Sequence, residues 1–204
     1  MTRNTSTNRK RLRSLAFGVL LIFGIAGCTA FGVVATNDPY EKMAQANRME
    51  DRGRIAVAQR LMRESIEIFE QSGDQLALAE AYRRYAFSVR VNGEDTITRY
   101  GGAGSAVPTN KDGRQDKSIA YFEKSLSIFE AHGKHDMAAN LHYNIAGSHQ
   151  FAGRPSEACI ELDKSLESHR KAMQANPTGV VDLPSGVATF TEFIDRARAE
   201  SGCQ

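Results

Sequence analysis

His135, His142 and His149 recur every seven residues, a spacing that places three imidazoles on one helical face and invites a metal-binding reading. Seven residues of helix rise about 10.5 Å, too far for neighbouring members to share one ion. The spacing therefore favours large side chains packed along a helix, with no metal and no cofactor. The chain contains no His-Glu-x-x-His, no Gly-x-Ser-x-Gly, no Walker loop and no Cys-x-x-Cys, so the common catalytic signatures are missing. Gly101-Gly102-Ala103-Gly104-Ser105 precedes no Gly-Lys-Ser/Thr and reads as a loop, not a phosphate cradle. The acidic residues are scattered along amphipathic stretches, where solvated faces are the ordinary outcome; no catalytic function is expected. Arg83 and Arg90 lie two helical turns apart on one face with Arg84 beside them. They could grip a carboxylate through paired hydrogen bonds, or form a solvated face paired with nearby acids. Cys159 and Cys203 could pair in an oxidising compartment. The alternative is a small buried residue at 159 and a frayed C-terminal cysteine at 203. The second is preferred, because sequence gives no inter-cysteine distance.

A third cysteine stands in a different setting. Arg3, Arg9, Lys10, Arg11 and Arg13 precede an apolar or glycine run from Leu15 to Ala26, with no acid before Cys28. That is the layout of a secretory signal. The tetrapeptide Ile25-Ala26-Gly27-Cys28 resembles the lipobox of bacterial lipoproteins. The resemblance implies a diacylglyceryl group on Cys28 and cleavage just before it, leaving 1–27 as signal peptide and 28–38 as tether. A competing reading is an uncut anchor, since the apolar character runs on through Ala35 and reaches about 20 residues, enough to span a bilayer. Both readings leave the basic cluster in the cytoplasm and everything after Cys28 outside. Thr29 stands where some inner-membrane lipoproteins carry aspartate, so the resemblance favours the outer membrane, facing the periplasm. The formal net charge of +2 becomes −3 once the five basic residues before Cys28 are set aside. No basic excess remains to suggest nucleic acid.

What positions the remaining candidates is a repeat. A shift of 60 residues aligns Ser65-Ile66-Glu67-Ile68-Phe69-Glu70 with Ser125-Leu126-Ser127-Ile128-Phe129-Glu130, and pairs Gly73 with Gly133, Ala86 with Ala146 and Gly93 with Gly153. Gly53 marks a third copy, 40 residues before Gly93. The longer interval is accounted for by an insertion, Glu94 to about Gln115, whose glycines, Pro108 and polar residues predict a loop at a helix–helix turn. Helices are expected at about 39–52, 54–71, 75–92, 116–132, 136–152 and 155–173, with a last one near 190–199.

Around each turn glycine the pattern resembles tetratricopeptide repeats. Tyr82, Tyr85-Ala86 and Val89 precede one turn; His142, Ile145-Ala146 and His149 precede another. Small-then-large pairs follow the turns: Ala58 with Met62, Ser118 with Phe122, Ala158 with Leu162. Glu70, Glu130 and Arg170 stand where the 34-residue consensus has proline. The second helices should therefore run on, as in the longer subclass that includes kinesin light chains. The resemblance implies an all-α solenoid of three hairpins (39–72, 75–132 with 94–115 inserted, 136–173). In 174–204, a linker and a helix with Phe190, Phe193 and Ile194 would cover the last apolar face.

The same resemblance implies a concave groove lined by first helices, with Met43, Asn47, Glu50, Arg83, Arg84, Phe87, Arg90, Asn140, Tyr143, Asn144 and Gln150 facing it. Arg83, Arg84 and Arg90 loosely resemble the clamps with which some members hold a peptide carboxylate. The function expected is a non-catalytic adaptor or scaffold in the bacterial envelope, held to the membrane by lipid and binding a protein or peptide segment, one with a carboxylate or acidic group included, in service of a pilus, secretion or other envelope complex. An envelope immunity or sequestering protein that blocks a toxin, with the 94–115 insertion as contact, is a second class. A cell-wall enzyme is a distant third.

Overall fold

A computed structural model describes residues 32–93, 111–179 and 183–204. The signal segment, Cys28, the glycine-rich run and most of the insertion lie outside the described residues. The helices all belong to the unit Thr36–Gln204. They are α1 (Pro39–Asp51), α2 (Ile55–Ser72), α3 (Gln75–Asn92), α4 (Lys111–Ala131), α5 (His135–Phe151), α6 (Pro155–Ala175) and α7 (Phe190–Ser201). Among the described residues there is no strand and no helix long and apolar enough to cross a membrane. The fold is an all-α stack of three hairpins, α1/α2, α3/α4 and α5/α6, each packed more extensively within itself than on the next, with α7 against α6.

Local chemistry sets the helix ends. Asp38 caps α1, accepting from the Tyr40 amide at 2.9 Å with Pro39 in the first turn; Asp74 caps α3 by accepting from the Ala77 amide at 3.2 Å. These side chains satisfy amides that have no partner within the helix. Gly53 and Gly153 take φ of +69° and +75°, a left-handed conformation that a side chain disfavours. The same pair of bonds closes both turns: Arg54 N–H to Met49 O at 2.8 Å, and Arg154 N–H to His149 O at 2.9 Å, which is how an α-helix ends in a Schellman turn.

The repeat is visible in the packing. Ala58, Ser118 and Ala158 are fully buried beside Met62, Phe122 and Leu162, so the small residue admits the paired helix and the large one fills the adjacent space. Ser65, Ser125 and Ser165, equivalent in the three copies and all buried, donate to the carbonyls of Pro39, Ala79 and Ala139 at 2.6, 2.8 and 2.8 Å. Each bond ties a second helix to the backbone of its own first helix. The second helices run past Glu70, Glu130 and Arg170 to Ser72, Ala131 and Ala175.

Two expectations are corrected. The helix expected from 116 begins at Lys111, so the last five residues of the supposed loop are helical. Gln115 is buried, the Arg114 guanidinium donates to Val91 O at 3.3 Å, and Asp116 pairs with Arg154 at 2.5 Å, contacts that hold the start of α4 on its partner helix α3 and on the next hairpin. Second, Cys203 is not frayed. It forms a disulfide with Cys159, with Cα atoms 5.6 Å apart. Helix α7 folds back along the last hairpin, buries Ile194 completely with Ala146, Ala158 and Leu162, and ends in a closed turn in which Cys203 N–H reaches Arg198 O at 3.0 Å.

Candidate functional site

A half-enclosed groove of about 880 Å³ lies at the candidate residues. Helix α3 contributes Arg83 and Phe87, and α5 contributes Asn140, Tyr143 and Asn144. The far wall comes from the end of α6 and the C-terminal segment: His169, Met173, Leu183, Phe190 and Phe193. Tyr143 meets Phe193 with ring centroids 4.7 Å apart, and His169 stacks on Phe190 at 4.3 Å. Residues 83 and 87, and 140 and 144, lie one helical turn apart, so each helix presents one stripe to the groove.

The three arginines do not act as a set. Arg83 is held in a two-pronged bond by Glu80 on its own helix, Nε at 2.7 Å and Nη2 at 2.6 Å. Its side chain is 23% exposed and faces the groove as half of an ion pair. Arg84 donates to Asn47 at 3.0 Å and lies 3.4 Å from Glu80; this pair ties α1 to α3, and neither residue lines the groove. Arg90 donates through Nη1 to the backbone oxygen and Oδ1 of Asn144, both at 3.2 Å, and lies over Phe87 at 4.7 Å. Burial pushes its pKa down. Asn144 in turn donates to the carbonyl of Asn140 at 2.8 Å and to its Oδ1 at 3.1 Å. A continuous chain of hydrogen bonds therefore fixes α3 against α5 beneath the groove floor.

Five predicted residues, Arg83, Phe87, Asn140, Tyr143 and Asn144, are thus brought to one groove. Arg90 and Gln150 open instead on a smaller neighbouring cavity of about 220 Å³, which shares Tyr143 and Asn144. Met43 and Glu50 are half-buried on α1 and line neither cavity. Tyr143 has its pKa raised, first by burial and then by Glu200, with Arg90 opposing.

Sequence reasoning missed the aromatic far wall, having assigned Phe190 and Phe193 only to covering the core. A signal was present. Thr189 accepts from the Glu192 amide at 3.1 Å while Glu192 reaches back to the Ala188 amide at 2.9 Å, a Thr-x-x-Glu start that fixes the phase of α7 and so the direction of its phenylalanines.

The histidine series divides. His142 is buried, bonded through Nδ1 to Glu161 at 2.7 Å with Glu130 3.7 Å from Nε2, and so braces α5 against α6. His149 is half-buried and its Nδ1 has no hydrogen-bond partner among the described residues. His135 borders the groove. Among the described residues no three His, Cys, Asp or Glu side chains are grouped to hold a metal ion. Compared with protein-family models and with curated proteins, the chain matches none.

Proposed function

We propose that this chain is a non-catalytic adaptor of the bacterial envelope, whose tetratricopeptide-like hairpins receive a protein segment in the groove between α3, α5 and α7. The observation that carries the reading is the groove's composition. Phe87, Tyr143, Phe190 and Phe193 offer apolar walls, while Asn140 and Arg83 supply a few polar groups at the edge, the mixture by which concave sites orient a ligand. An incoming carboxylate would exchange with Glu80 on Arg83. Glu80 is 40% exposed, and a pair of that kind is worth about 0–1 kcal/mol, so the exchange costs little. Large apolar side chains of the segment would seat against the aromatic walls, where most of the affinity in such interfaces resides.

Pull-down from solubilised native membranes tests this. The Arg83→Glu/Asn140→Lys variant loses the partner, whereas Arg84→Glu, away from the groove, retains it; identical partner sets for all three proteins would remove the groove from the account. The lipid anchor rests on Ile25-Ala26-Gly27-Cys28. Mass spectrometry of the native N-terminus should find acylated Cys28 as first residue, and a Cys28→Ala chain should keep its signal segment and no acyl group. An unmodified, uncut wild-type terminus would replace the lipoprotein reading with an anchor helix.

A further inference from the structure

The smaller cavity holds two opposite charges that do not meet. Arg90 Nη1 is used by Asn144, but among the described residues Nε and Nη2 make no hydrogen bond and no carboxylate lies within ion-pair distance. The side chain is half-buried over Phe87 and Phe122, and its vacant donors, still accessible, match a carboxylate in two-pronged geometry. Glu200 lines the same cavity with no cationic partner among the described residues; of its polar groups only the backbone oxygen is engaged, by Gln150 at 3.4 Å. Both charges act on the Tyr143 hydroxyl, which Glu200 and Arg90 push in opposite directions. Gly147 lies beside the guanidinium, where a Cβ would stand 3.7 Å from Nη1, in ordinary contact. Ser201 and Gln150 add polar groups, and Leu162, Phe151, Ala146 and Ala197 add an apolar side.

We infer that this cavity binds a free amino acid with an apolar side chain, its carboxylate on Arg90 and its ammonium on Glu200. Size agrees: a cavity of about 220 Å³ has room for roughly seven waters at ~30 Å³ each, near the non-hydrogen atom count of a small aliphatic amino acid. A zwitterion answers both unpaired charges at once, which neither a simple anion nor the internal end of a peptide can do. The site is independent of the groove reading, although Tyr143 and Asn144 border both. The Cys159–Cys203 bond fixes the end of α7 and thereby the position of Glu200 and Ser201.

Titration calorimetry on the purified full chain tests the assignment with L-leucine, L-valine, N-acetyl-L-leucine and L-leucinamide. The expected result is binding of leucine or valine, with the acetylated form, which lacks the ammonium, and the amide, which lacks the carboxylate, each at least about tenfold weaker. Glu200 is exposed on α7, so Glu200→Gln should fold normally, weaken the free amino acid about tenfold or more and leave N-acetyl-leucine unchanged. Equal binding of N-acetyl-leucine and leucine, no effect of Glu200→Gln, or no heat from either amino acid up to about 10 mM would each overturn the inference.

Discussion

Replacing Cys203 by serine removes the one covalent tie on α7. The cysteines are 44 residues apart. A cross-link over that span withdraws about 13 cal/mol/K from the unfolded ensemble in the chain-entropy description, about 4 kcal/mol at 25 °C. What remains to hold α7 is modest. Ile194 is its only fully buried side chain, assisted by Phe193 on Tyr143, Phe190 on His169 and the Arg198–Asp163 ion pair. In a stack of hairpins each unit touches only its neighbours, so the loss should stay local rather than spread through the molecule. Amide hydrogen exchange followed by mass spectrometry reads this directly. In Cys203→Ser, exchange across 190–201 should accelerate by up to roughly a thousandfold, the equivalent of ~4 kcal/mol, while α2 and α3 keep their protection. Unchanged protection of α7, or an equal loss in all three hairpins, would refute the argument that this bond locks a terminal cap.

Ser125→Ala, which removes the bond to Ala79 O, should cost about 1 kcal/mol in urea unfolding, with Ser65→Ala and Ser165→Ala alike if the three positions are true equivalents. Ile194→Ala should cost about 2–5 kcal/mol, seen as a fall in Tm, because the side chain is fully buried and its departure leaves a cavity. Burial lowers the pKa of His149 and His169 from the usual 6.5, so the unfolded chain binds protons first as pH falls. Their contribution is complete above 6.5 and is lost as pH drops through the lower folded values. The urea midpoint should therefore fall between about pH 7 and pH 5, and His149→Gln/His169→Gln should shrink that fall; a midpoint that rises on acidification would contradict it.

The solenoid was legible because its requirements repeat. Gly53, Gly93 and Gly153 must turn the chain, Ala58, Ser118 and Ala158 must let helices approach, and both leave fixed spacings in the sequence. Helix α4 was read short because Gly113 and the polar run around it have poor local helix propensity, whereas its start is held by contacts with Val91 of its partner helix and Arg154 of the next hairpin. The arginines were placed on the correct helix, yet their partners decide their roles. Glu80 lies three and four residues before Arg83 and Arg84, a spacing at which side chains meet, and it claims both. Arg90 could not be separated from them by sequence, since its distinction is burial over Phe87 and a bond to Asn144, 54 residues away. That α7 covers the last hairpin was legible, but the approach of Cys203 to Cys159 and the turn of Phe190 and Phe193 toward the groove depend on how α7 lies across that hairpin, which spacing along the chain does not fix.

The groove between α3, α5 and α7 is the central claim, and site-specific photo-crosslinking in native membranes tests it most directly. A photoreactive residue at Asn140, exposed at the groove edge, should capture one specific protein partner, and the Arg83→Glu change should abolish that capture. The same probe at Lys164, outside the groove and 53% exposed, should capture none of it. Equal capture from both positions, or capture at Asn140 that survives Arg83→Glu, would contradict the account.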